Sequence, residues 1–137
     1  MKYPEGFSFD EEKGIIKTPY YTIQLPDEWI GKSELYVISP YISYLTDRRE
    51  GDDALGAGGQ VRIVRTDEGE FHGIDDIDVH DGNFDVIMYL NLVNAEDGVE
   101  QVEVGESTQV KGWKAYVLGP ASAKQEMEEL AKSITLN

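Results

Sequence analysis

The densest set of side chains able to do chemistry lies between Asp67 and Asp85, in the run DEGEFHGIDDIDVHDGNFD, which holds both histidines of the chain. Asp76, Asp78 and His80 alternate there, and Asp81 and Gly82 follow. Alternating oxygen ligands closed by a glycine turn are how calcium loops are built. The EF-hand spacing is not met. Counted from Asp76, the sixth place needs Gly and holds Asp81, and the twelfth needs Glu and holds Ile87. A looser cation site made of Asp76, Asp78, His80 and Asp81 is the metal candidate. His72 and His80 stand too far apart for a helical zinc pair, and no third ligand converges on them in the sequence. The competing reading is a solvated acidic loop, the commoner role of a charge run.

Other chemistries fail on their residues. Gly51 to Gly56 has the glycine spacing of a phosphate loop, but Ala57-Gly58 stands where Lys and Ser or Thr are required. Asp52 and Asp53 would also repel the phosphate. No Gly-x-Ser-x-Gly elbow is present, and the two histidines sit in the acidic connection, away from any strand end that could pair them with a serine. With 27 Asp and Glu residues, pairs of carboxylates are too abundant to single out a glycosidase site. No catalytic residue is assigned, no cofactor is implied, and the chain reads as a non-enzyme.

Aromatic residues form the remaining candidate. They crowd the first third of the chain, where Tyr20, Tyr36 and Tyr44 fall on strand faces that could meet solvent. Exposed aromatic clusters mark interfaces, so these three are the ligand-binding candidates. Core packing and strand propensity are the alternative explanation, and the simpler one for Tyr21 and Trp29.

The charge balance narrows the partners. Twelve Lys and Arg face 27 Asp and Glu, a formal net charge of −15. Such a surface repels nucleic acid and anionic lipid, and favours a basic protein surface or a cation. The 40% hydrophobic content lies above the disordered range. No apolar run approaches the ~18 residues of a membrane helix. Cysteine is absent, which excludes disulfides, thiolate zinc sites and cysteine nucleophiles. The opening MKYPEGFSFDEEKG has no basic segment followed by an apolar core, so it does not read as a signal peptide. The 137 residues fit a single domain, 1–137.

The elements that would position these groups are mostly strands. GFSFDEEKGII reads as a hairpin whose polar turn, Asp10 to Gly14, ends in the residue that best tolerates positive φ. In TPYYTIQLPDEW, Tyr21, Ile23 and Leu25 share one face, and Tyr20, Thr22 and Gln24 the other. Pro26 ends that strand, and Pro26 to Trp29 forms a turn that anchors the next segment. Residues 34–46 are two strand pieces interrupted at Ser39-Pro40. Residues 47–60 are a Gly-dense loop, 60–66 a short strand and 67–83 an acidic connection. Residues 84–93 are the most apolar run and the expected central strand. The alternation VEQVEV at 99–104 suits an outer strand, and 110–120 is the expected last strand. The helix is 121–134, with Ala123, Met127, Leu130, Ala131 and Ile134 on one face. Ser122 and Gln125 are placed to form its capping box. Strands followed by a one-sided helix predict an α+β fold: a mainly antiparallel sheet with a C-terminal amphipathic helix packed on one face.

The run GIIKTPYYTIQLPDEW resembles the opening of a group of small secreted or lipid-anchored domains of Gram-positive gut bacteria. These begin with a Thr-Pro-Tyr-Tyr-Thr strand and continue with Leu-Pro-x-x-Trp. The likeness extends through YISYL, the Gly59 entry to QVRIV, WKAYVLGP and the helix ending near SITLN, and so covers most of the chain. More distantly, the strand–Leu-Pro-x-x-Trp start with a C-terminal helix is similar to the Mog1/PsbP-like α/β/α sandwich. The resemblance implies an extracytoplasmic setting and an accessory or binding role, and brings no catalytic residues. The chain departs from the group in lacking the upstream lipobox cysteine and in its longer acidic segment at 67–83.

Together these readings predict a non-enzymatic accessory or binding domain associated with the cell envelope. It would engage a protein or ligand through acidic loops or an aromatic strand face. The alternative is a cytoplasmic acidic partner protein, such as an inhibitor, immunity protein or chaperone-like factor. A hydrolase or a cation-dependent binder comes third.

Overall fold

A computed structural model describes residues 3–39, 43–44, 56–57, 59–65, 83–89, 99–107 and 114–137. Two antiparallel sheets carry the fold. The small sheet contains β1 (Ser8–Asp10), β2 (Ile15–Lys17), β3 (Tyr21–Gln24) and β11 (Ile134–Leu136), in the order β1-β2-β3-β11. The large sheet contains β4 (Ser33–Ser39), β7 (Gln60–Arg65), β8 (Asn83–Tyr89), β9 (Val99–Glu106) and β10 (Lys114–Pro120), in the order β4-β7-β8-β10-β9. β5 (Ser43–Tyr44) and β6 (Gly56–Ala57) form a separate two-stranded ladder. The α-helix, α1 (Lys124–Lys132), packs against β9 and β10. The mainly antiparallel architecture with one short helix near the C-terminus is therefore as the sequence predicts. Among the described residues no helix is long and apolar enough to cross a membrane.

Period-two patterning sets the two faces of the large sheet. Val37, Val61, Val86, Val117 and Val102 are cross-strand partners in one row that runs over all five strands. This row faces the core, where Val61, Val86 and Val117 join Ile16, Tyr21, Ile23 and Leu25 of the small-sheet region and Met127 and Leu130 of the helix. The small sheet and the helix thus share one face of the large sheet. One residue along, Tyr36, Arg62, Leu118 and Gln101 lie on the opposite face.

The first hairpin follows the expected chemistry. The Asp10 carboxylate accepts from the backbone N–H groups of Glu12 and Lys13, and the Gly14 N–H closes on the Asp10 carbonyl at 2.8 Å. Gly14 takes φ +70°, and a Cβ there would lie 2.6 Å from Ile30 Cγ1. Glycine is required both for the left-handed backbone and for the contact.

The opening TPYY divides differently from the expectation of one continuous strand. Thr18 to Tyr20 is the turn, and the strand starts at Tyr21. The buried Thr18 hydroxyl accepts from the N–H groups of Tyr20 and Tyr21 and donates to the Tyr21 carbonyl, all at 3.0–3.1 Å. A side-chain hydroxyl here does what a ladder partner would do, the usual use of threonine in a turn. Beyond it Tyr21, Ile23 and Leu25 are buried, as their alternation predicts. After Pro26 the chain makes a 3-10 turn, Asp27–Trp29, that seats Trp29 in the core at 1% exposure. The Ser33 hydroxyl donates to the Trp29 carbonyl at 2.8 Å and fixes the entry to β4.

The C-terminal end departs most from the sequence reading. Residues 110–120 do not supply the last strand, because β11 follows the helix. The helix is nine residues long, and Ala121–Ala123 form a preceding 3-10 turn. Ala123, one residue beyond the expected Ser122, occupies the N-cap and makes no side-chain cap bond. Ser133 stops the helix early: its N–H and its hydroxyl both donate to the Leu130 carbonyl, at 3.0 and 2.8 Å. Ile134 keeps its expected burial but reaches it from a strand, paired with Ile23. A helical stripe and a three-residue strand both bury that position, and the free edge of β3 decides between them.

Candidate functional site

Tyr20 and Tyr36 do not converge. Tyr20 sits at the β2–β3 turn, against the core. Its ring lies so close over Gly59 that a Cβ on that glycine would be 2.7 Å from Tyr20 Cδ2. Gly59 takes φ +63°, just ahead of β7. The neighbouring Tyr21 reaches the same residue: its buried hydroxyl donates to the Gly59 carbonyl and also lies 3.2 Å from the Val86 carbonyl. Two consecutive tyrosines thereby grip one glycine, one by its Cα surface and the other by its carbonyl. Tyr21 joins the small sheet to the middle of the large one. Burial, with Tyr20 beside it as a lesser cause, pushes the Tyr21 phenol far above its ordinary pKa. The hydroxyl stays a neutral donor.

Tyr36 lies on the opposite face of the large sheet, half-buried, in the row that begins with it and Arg62. Partial burial raises its pKa, and the adjacent Glu34 carboxylate, which accepts the phenol's hydrogen bond, adds to the rise. Tyr3 contributes a smaller share, which brings the N-terminal segment close to this ring. The backbone of Tyr44 pairs with Gly56 in the small ladder. Tyr20 is therefore engaged in packing, whereas Tyr36 keeps a partly accessible phenol on a sheet face; the Tyr44 side chain lies outside the described part of the structure.

Asp76, Asp78, His80 and Asp81 lie outside the described residues. Among the described residues no group of three or more acidic or histidine side chains could hold a metal ion. The acidic connection leaves the fold at a defined place. Arg65 and Asn83, the strand ends that flank it, stand beside each other, since Val64 pairs with Asn83. Arg65 lies over the Trp29 ring at 5.4 Å, a cation–π contact at the base of a segment, 66–82, that holds seven Asp and Glu and no Lys or Arg.

The described surface continues the acidic character. Glu5, Asp10, Glu11, Glu12, Asp27 and Glu28 are exposed on the N-terminal half, and Glu103, Glu106, Glu128 and Glu129 on the C-terminal half. One lysine shows how a cation meets this surface. Lys114 Nζ of β10 lies 3.1 Å from Glu103 Oε1 of β9, which raises the lysine pKa through that hydrogen bond and charge. Beneath it, burial raises the Tyr116 phenol, Lys114 lowers it and Glu103 raises it again.

The sequence reading missed three of these groups: Gly59 as the seat of both tyrosines, the Arg65–Trp29 contact and the Lys114–Glu103 pair. Gly59 had a local signal, a glycine immediately before a strand. The two pairings join residues far apart in sequence and leave no local trace. No protein-family model, curated protein or solved structure matches this chain.

Proposed function

We propose that this domain is a non-enzymatic accessory or binding module of the cell envelope that holds a basic partner on its acidic surface. The net charge of −15 carries the reading: opposite-sign potentials steer and select partners, and this one favours cations. The acidic route is preferred to the aromatic one because Tyr20 is occupied by Gly59 and stands on a different layer from Tyr36. The envelope setting rests on the resemblance of GIIKTPYYTIQLPDEW to secreted and lipid-anchored domains. The Mog1/PsbP-like sandwich is its fold-level counterpart, and an experimental structure of the whole chain tests it by the presence of a second helical layer.

The functional test is a pull-down with the purified domain from separate envelope and cytosolic fractions, at low and high salt. A basic protein retained from the envelope fraction at low salt and released at high salt supports the proposal. A partner whose retention ignores salt overturns the electrostatic mechanism. Retention from the cytosolic fraction alone overturns the envelope setting.

A further inference from the structure

We propose that β9 is a docking edge for an extended cationic peptide, which adds to the large sheet as a further strand. This rests on the binding reading above and specifies where and how the partner is held. Among the described residues β9 is the longest strand, ends the order of the large sheet and has β10 alone as ladder partner. Such an edge presents a row of N–H and C=O groups that can template another chain.

The side chains decide which chain. VEQVEVGE puts carboxylates at Glu100, Glu103 and Glu106. Two copies of this edge would bring like charges into opposition, which destabilises a strand pair. The same charges select a basic strand. The molecule already contains the required contact on the inner side: Lys114 reaches Glu103 across the β10–β9 ladder at 3.1 Å. A lysine on a strand added outside would meet Glu100 or Glu103 in the mirror relation. The helix packed on β9 and β10 carries exposed Glu128 and Glu129, which extend the negative potential. At Gly105 the small sheet comes close, since a Cβ there would lie 3.3 Å from Leu136 Cδ1. The docking length is therefore the stretch before that glycine, 99–104. The other edge, β4, is less selective. It carries one carboxylate, Glu34, against three on β9.

The probe is a seven-residue peptide of alternating lysine and threonine, capped at both ends. Its control has the same charge and is N-methylated at every backbone position, which removes the ladder donors from both edges of the peptide. Binding to the full chain is measured by fluorescence anisotropy, with hydrogen exchange of the β9 amides followed in parallel. The unmethylated peptide should bind about tenfold more tightly than the control and slow exchange along 99–104. Glu100→Gln with Glu103→Gln should weaken it by a similar factor. Glu11→Gln with Glu28→Gln, the same loss of charge at a distance, should leave it unchanged. Equal binding of the control peptide, or equal loss in both double variants, overturns strand addition while leaving the acidic binding reading in place. No binding of either peptide at low salt overturns both.

Discussion

β3 and β9 are written in the same period-two code and are used in opposite ways. In β3, YTIQ, alternate residues enter the core and the backbone has ladder partners on both sides, β2 and β11. In β9, VEQVEVGE, Val102 and Val104 pack against the core and are only partly buried, and among the described residues the backbone is paired on one side. Alternation thus tells which face a residue takes, and not how deeply its strand is embedded. Depth depends on what the rest of the chain places beside it. In β3, Tyr21 adds a polar tether from the small sheet to two carbonyls of the large one. In β9, the carboxylates remain at the surface, with Glu103 side-chain exposure at 51%.

The contrast can be broken most forcefully at β3. Tyr21→Ala should destabilise the fold by about 3–5 kcal/mol, the range for truncating a large buried aromatic, read as a shift in the urea midpoint. Tyr21→Phe keeps the ring and removes the donor. It should cost about 1–3 kcal/mol, because the Gly59 and Val86 carbonyls lose a buried partner.

Gly59→Ala tests the other half of the grip and should cost about 1–3 kcal/mol from the left-handed backbone and the clash with the Tyr20 ring. Adding Tyr20→Ala should recover the clash and leave the backbone share, so the pair should be clearly non-additive. Additive losses would mean that the ring does not rest on the glycine.

Alkaline pH sharpens the comparison without mutation. The folded Tyr21 pKa is raised, so its stabilising contribution is complete below the ordinary tyrosine value of about 10 and is lost as pH climbs above it. The raised Tyr36 and Tyr116 act in the same direction. The unfolding midpoint should fall above that pH, and the fall should be shallower in Tyr21→Phe. The smallest effect belongs to β9: Glu103→Gln should leave the urea midpoint within measurement scatter, since an exposed ion pair contributes little.

The elements legible in the sequence were those whose causes are local. The buried set Tyr21, Ile23 and Leu25 follows from alternation, the Gly14 turn from backbone freedom and the Trp29 anchor from Pro26. β8 was recognisable as the central strand because its apolar run needs cover on both sides. β11 was not, because Ile134 continues the helical stripe of Met127 and Leu130, and only the open edge of β3 selects the strand. The site was less legible than the fold. Tyr20 reads as surface from its alternation, but its ring is held by a glycine far along the chain. The Asp76, Asp78, His80 and Asp81 reading lies in residues outside those described.

The closing contact of the small sheet joins distant parts of the chain: the Asn137 amide donates to the Thr18 carbonyl from 119 residues away. Synthesis proceeds from the N-terminus, so β3 is made long before β11 exists to cover it. Until then the nascent chain carries the apolar strand YTIQL with one ladder side open, the kind of segment that recruits other chains. The charged turn at Asp10 to Lys13 is made just before it and remains exposed in the finished fold. Charge flanking a sticky strand is the usual protection against such encounters. This turn takes no part in the β9 edge, and its charge serves instead to keep the unfinished protein apart from its neighbours.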